Sequence, residues 1–169
     1  MSYRSTLSGF PHFRVHLNAP TTTRTLPSSL FGARAGFEFS TVALLGAGVW
    51  NGRKYRVPVK GLYYFNVNFS YAGSSNNFSV DVGFNIEKLA VSENRVFERV
   101  QMGWTNIIRN CRYSTILSLD EGDFVSVHLF AQNSTQSPTP IFYGSDGTSE
   151  LFLQESGTFF EGYLVSGLS

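Results

Sequence analysis

The sequence predicts an all-β, antiparallel sandwich. Three observations carry this reading. Apolar residues fall on every second position in segments spread along the whole chain. Gly, Asn and Ser gather at the breaks between those segments. No segment keeps a helical period. Many short strands closed by such turns imply two packed sheets, most simply a jelly roll.

Each element has its own pattern. Phe13, Val15 and Leu17 alternate with Arg14, His16 and Asn18, and Phe37 and Phe39 begin a second run. Residues 57–69 read VPVKGLYYFNVNF. Gly61 lets the chain enter a strand sharply after Pro58. Tyr63, Phe65, Val67, Phe69 and Tyr71 then mark a buried face, with Tyr64, Asn66, Asn68 and Ser70 opposite. Phe78, Val80, Val82, Phe84 and Ile86 give the cleanest alternation, and residues 96–102 a weaker one. Residues 112–119 and 124–130 are two more strands. Asp120, Glu121, Gly122 and Asp123 separate them, which predicts a β-hairpin. Residues 159–165 close the chain. Two longer loops, 20–35 and 133–155, interrupt the series.

Composition bounds the function. The 169 residues suit one domain with a real core: an extension over 1–10 and a globular unit over 11–167. Only 15% of residues are charged, against about 25% in a typical soluble chain. Less surface than usual is therefore covered by charge, which fits glycan cover or burial in an oligomer. Net charge is +1 without a basic run, so nothing points to nucleic acid. No apolar stretch is long enough to span a membrane. The opening MSYRSTLSGF lacks the apolar run of a signal peptide. That leaves a cytosolic chain, or one whose leader lies outside this sequence. Cys111 is the sole cysteine, so no internal disulfide forms.

Residues 62–65 and 159–165 are apolar on both faces, where a two-layer monomer should leave one face wet. The surplus aromatic surface calls for a partner, and self-association is the simplest one. The competing explanation is cover by the long loops.

Catalysis finds little support. His12 and His16 would lie about 13 Å apart on a strand, too far to share one ion. His128 stands alone. No nucleophile elbow, phosphate-cradling loop or zinc-spaced set occurs. Asp120, Glu121 and Asp123 form an acidic turn for which calcium is a candidate ligand, against the plainer reading of a solvated turn. Asp146, Glu150 and Glu155 form a second acidic set. Asn68, Asn77 and Asn133 head glycosylation sequons, with Asn68 expected to point outward. Trp50 and Trp104 fall at expected loops or strand ends. Beside Asn51, Tyr143 and Asp146 they are candidates for gripping a ligand, against packing under a loop.

Four pieces of the chain carry a resemblance. Residues 11–15, PHFRV, resemble the opening strand of the globular head of the complement C1q family. Residues 54–65, KYRVPVKGLYYF, resemble its central motif, a Pro-x-x-Gly turn before Tyr-x-Phe. Residues 114–127, STILSLDEGDFVSV, resemble its leucine-rich Gly-Asp hairpin. Residues 159–165, FFEGYLV, resemble its closing strand. The order and spacing match across most of residues 11–165. The family shares its jelly roll with the tumour necrosis factor ligands. The resemblance implies a ten-stranded protomer and a compact homotrimer, with aromatic and aliphatic residues near the threefold axis. Tyr64, Phe159 and Tyr163 are the candidates for that interface.

The sequence departs from the family pattern in three places. It has no collagen-like stalk, a longer 133–155 segment, and a small, flexible GAGVWNG at 46–52. These departures fall where ligands are bound, so the family's ligands do not carry over. The expected function is a secreted, non-enzymatic, trimeric recognition module binding a protein or glycan through apical loops. The alternatives are an adhesive cap of a fibre or matrix protein, and a cytokine-like receptor ligand.

Overall fold

The structure is a computed structural model describing residues 9–17, 24–26, 37–39, 41–73, 78–88, 93–101, 109–133, 141–143, 151–153 and 157–168. For 24–26, 71–73, 78–81, 93–101, 109, 128–133, 141–143 and 151–153 the backbone alone is described. Most of the expected N-terminal extension lies outside these residues.

The described residues form thirteen strands: β1 (His12–His16), β2 (Arg24–Leu26), β3 (Thr41–Leu45), β4 (Val49–Trp50), β5 (Lys54–Arg56), β6 (Gly61–Gly73), β7 (Phe78–Glu87), β8 (Glu93–Gln101), β9 (Arg109–Leu119), β10 (Phe124–Asn133), β11 (Ile141–Tyr143), β12 (Leu151–Leu153) and β13 (Phe159–Gly167). Ten of them make two facing layers. The first layer runs β3-β1-β13-β6-β9, and the second runs β4-β5-β10-β7-β8. Every ladder in these layers is antiparallel. The other three, β2, β11 and β12, come from the two long segments. They extend the first sheet from the Tyr71–Gly73 end of β6, with β11 and β12 parallel. The expected count of ten strands thus omits three short ones.

The register of β6 follows the expected alternation. Tyr63, Phe65, Val67 and Phe69 are buried toward the second sheet. They meet Phe13, Val15 and Phe160 from their own sheet and Val82, Phe84, Val125 and Val127 from the other. Phe13 is a hub of this core. Its ring centroid lies 4.2 Å from Tyr55 and 4.8 Å from Phe160. Gly162 makes this packing possible, because a methyl group there would come within 2.6 Å of Phe65 and 2.8 Å of Phe13. Phe37 and Phe39 are buried as their spacing suggests, but they precede β3 instead of opening a strand. Cys111 is buried opposite Phe69.

The expected hairpin at 120–123 is corrected. β9 pairs with β6, whereas β10 pairs with β5 and β7. The turn therefore carries the chain from one sheet to the other. Asp123 is turned inward, and its Oδ2 accepts the backbone N–H of Asp120 at 3.0 Å. Gly122 sits at φ 89°, where a side chain would be strained. A tight turn with Gly looks the same in sequence whether its strands pair or part. Only the long-range ladders separate the two cases.

Candidate functional site

The outer face of the first sheet, turned away from the core, is the candidate site. Three cross-strand rows build it. His12, Tyr163, Tyr64 and Ile116 form one row from β1 to β9. Arg14, Glu161, Asn66 and Ser114 form the next. His16, Phe159, Asn68 and Arg112 form the third.

The first row is apolar and aromatic. Tyr64 and Tyr163 lie with ring centroids 5.2 Å apart. Tyr163 is 46% exposed and Ile116 58% exposed. Val165 and Leu44 add exposed aliphatic surface nearby. The structure thus brings Tyr64 and Tyr163, two of the three interface candidates, into contact. Phe159, the third, lies four residues from Tyr163 along β13 on the same face.

The middle row is a polar chain. Arg112 Nε donates to Asn66 Oδ1 at 2.9 Å, and Asn66 Nδ2 donates to Glu161 Oε1 at 2.8 Å. Arg14 Nη1 donates to Glu161 Oε2 at 3.0 Å. The Arg14 guanidinium also sits 4.3 Å from the Phe159 ring centroid, a cation–π contact. Asn66 is wholly buried at the middle of this chain. The period-two pattern placed Arg14 and Asn66 on this face, but sequence reasoning did not place Arg112 and Glu161 there or join the four. The signal was their shared parity on strands whose pairing only the fold supplies.

Asn68 needs correction as a glycosylation candidate. It points away from the core as expected, yet it is only 8% exposed. Its amide donates to Asn110 Oδ1 at 3.1 Å and to the carbonyl of Gly157. A glycan on that nitrogen would replace one of its two hydrogens and so break at least one of these bonds. Asn77 lies outside the described residues, and the side chain of Asn133 does as well.

The ligand candidates do not form one cluster among the described residues. Trp50 packs against the core, as the alternative to a gripping role has it. Its ring is half-buried, 6.0 Å from Phe13 and from Phe160, and its Nε1–H donates to the carbonyl of Phe39 at 3.3 Å. It closes the side of the sandwich beside the short β4. Asn51 is exposed, and its Oδ1 accepts the backbone N–H groups of Arg53 and Lys54 at 3.1 and 2.8 Å. That is an Asx turn, which shapes the β4–β5 connection. Trp104 and Asp146 lie outside the described residues. Tyr143 is described in backbone only, opposite Arg24 and Leu151.

The acidic turn is occupied by lysines. Asp120 lies 3.4 Å from Lys88 and 3.5 Å from Lys60, and Asp123 lies 3.5 Å from Lys88. The hydrogen bond and charge of Lys88, helped by Lys60, hold the Asp120 carboxyl below its ordinary range. Glu121 is exposed. Among the described residues no three His, Cys, Asp or Glu side chains are grouped to hold a metal ion.

His12 and His16 share the outer face. His12 Nδ1 lies 2.7 Å from the carbonyl of Phe10. Burial, then the charge of Arg14, lowers the His16 pKa below its ordinary 6.5, with Glu161 opposing.

No family model and no curated protein matches the chain. Solved structures do. The globular domain of zebrafish complement 1qA is 16% identical over 94% of this chain and 99% of its own, with a TM-score of 0.61. Eiger TNF from S. frugiperda is 11% identical over 95% and 96%, with a TM-score of 0.63. Murine APRIL, solved at pH 5.0, is 17% identical over 91% and 99%, with a TM-score of 0.58. At such identities the likeness establishes the fold, a jelly roll of the C1q and tumour necrosis factor kind.

Proposed function

We propose that this C1q/TNF-like jelly roll is a secreted, non-enzymatic recognition module that works as a homotrimer. The outer face of the first sheet is its assembly surface. One observation carries the proposal. Exposed Tyr163, Ile116 and Val165 border a polar chain whose central residue, Asn66, is already buried and hydrogen-bonded through both Nδ2 and Oδ1. A face meant for water has no need of exposed aromatic and aliphatic side chains. A face meant for a neighbour needs its polar groups satisfied beforehand, because an unpaired polar group sealed into an interface is penalised.

A second copy of this chain is the occupant. The face is the one on which the sequence resemblance places Tyr64, Phe159 and Tyr163 around a threefold axis. A threefold contact is also heterologous, so the face meets a different surface of its neighbour and closes into a ring. Three copies would present three sets of loops, and avidity would follow from their number. The ligand end is that of β2, β11 and β12, where both long segments join the sheet at the Tyr71–Gly73 end of β6.

Multi-angle light scattering at micromolar concentration tests the assembly and should read three chains. A monomer would sink it. A glycan array with and without calcium, set beside a receptor pull-down, tests the ligand class. Sugar binding supports a lectin-like module. Receptor capture alone supports the cytokine-like alternative. Failure of both with a stable trimer supports the structural cap.

A further inference from the structure

We infer that His16 couples assembly through the outer face to proton concentration, so that the trimer closes with neutral imidazoles and loosens on acidification. This rests on the assembly reading given above. The ground is the charge inventory of the face. The five strands β1, β3, β6, β9 and β13 contain one carboxylate, that of Glu161. The same strands contain Arg14, Arg109 and Arg112, with His12 and His16. Glu161 is already engaged on both oxygens, by Arg14 and by Asn66.

Among the described residues of the strands packed against it, His16 has no unpaired carboxylate to meet. Its own strand places Arg14 two residues away. On β13 it faces Phe159, at 6.3 Å between ring centroids, with Glu161 beyond. On β3 it faces Thr41. On β6 and β9 the same row continues with Asn68 and then Arg112. A proton on His16 would add a cation to a row that ends in Arg112 and lies beside the row that begins with Arg14. His12, with its ring near Phe10, lies on the same face.

Assembly sharpens the effect. Covering the face removes water from the imidazole, which disfavours its charged form. Three copies around one axis also bring three such faces together. The lowered His16 pKa of the protomer points the same way. The sign is fixed by linkage: a form that binds fewer protons is favoured as pH rises. Assembly is therefore strongest above the His16 pKa of the free protomer, which already lies below the ordinary 6.5, and weakens as pH falls below that pKa.

The experiment is sedimentation velocity on the full chain from pH 8 to pH 5, across a concentration series. If each protomer excludes one proton, three are excluded per trimer. The concentration of half-assembly then rises by at most about thirtyfold per pH unit below the transition. His16→Gln should assemble at pH 8 and lose most of this dependence. Circular dichroism at each pH separates disassembly from unfolding. Should His16→Gln misfold, NMR titration of the His16 ring in the unaltered protein replaces it. The ring pKa should fall as protein concentration, and hence assembly, rises. A trimer equally stable at pH 5 and pH 8 overturns the proton coupling and leaves the assembly reading intact. Unchanged pH dependence in His16→Gln, or a ring pKa independent of assembly, also overturns it. A monomer at pH 8 overturns both.

Discussion

Asn66 and Glu161 sit in register on β6 and β13, and the amide of one donates to the carboxylate of the other at 2.8 Å. This bond joins an arginine from each side of the sheet into one chain, with Arg112 on Asn66 and Arg14 on Glu161. The chain crosses four strands that are far apart in sequence. Its central member is buried even in the single protomer.

Replacing Asn66 by Ala should lower stability by about 1–3 kcal/mol, because a buried amide is removed and Arg112 and Glu161 each lose a partner. Asn66→Leu restores the volume but not the bonds, so it should be no better tolerated than Ala. Urea denaturation of the three proteins measures this. A Leu variant as stable as the parent would show that Asn66 acts by filling space alone.

The doubled tyrosines of β6 separate protomer stability from assembly. Tyr63 is buried in the core, with its hydroxyl donating to the carbonyl of Val59 at 2.7 Å. Tyr63→Ala should be destabilising by about 3–5 kcal/mol as a buried aromatic truncation. Tyr64 lies on the other face against Tyr163, so Tyr64→Ala should weaken assembly more than it weakens the fold. Thermal melts read the first effect and sedimentation reads the second. The reverse pattern would contradict the strand register.

Much of this architecture was legible because parity along a strand is local. The buried set of Tyr63, Phe65, Val67 and Phe69 follows from alternation, and so does the outward set of Tyr64, Asn66 and Asn68. What alternation lacks is the neighbour. Asn68 points outward yet is buried, because Asn110 and Gly157 close over it from 42 and 89 residues away. Trp50 sits beside glycines in a flexible-looking segment, yet it packs against Phe13 and Phe160. The 120–123 turn reads as a hairpin because its residues are the same in a turn between sheets. In each case the missing information was a contact made across the fold.

Gly162 tests the tightness of the core. A methyl group at this position has no free direction, with the Phe65 and Phe13 rings at 2.6 and 2.8 Å. Both rings belong to the buried aromatic cluster and cannot swing into solvent. Gly162→Ala should therefore be destabilising by about 1–3 kcal/mol through overpacking. A melting temperature equal to the parent's would show that these rings have room to move.

The buried carboxylate of Asp123 stabilises the crossing between the sheets. It accepts the Asp120 backbone N–H and lies near Lys88. Asp123→Ala should lower stability by about 1–3 kcal/mol, as loss of a hydrogen bond to a buried charged group. Millimolar calcium should leave the melting temperature of the parent unchanged if this turn is the only candidate site, because its two aspartates are already shared with lysines. A rise with calcium that disappears in Asp123→Ala would reassign the turn to the metal.

Asn85 offers the opposite case, a buried amide whose loss should help. It lies on β7 between Ser126 of β10 and Arg95 of β8, on the face turned away from the core. Its exposure is zero, and among the described residues no group bonds either its Nδ2 or its Oδ1. Burying an unpaired amide is worth about 1–3 kcal/mol against the fold. Valine is smaller, suits a strand and carries no polar atom. Asn85→Val should accordingly raise stability by about 1–2 kcal/mol in urea denaturation. The contrast with Asn66 is informative, since the same residue type in the same kind of strand should respond with opposite sign. Bonding to the amide, not burial alone, sets that sign. A loss of stability in Asn85→Val would mean that the amide is bonded in solution, by water or by a partner held on the second sheet.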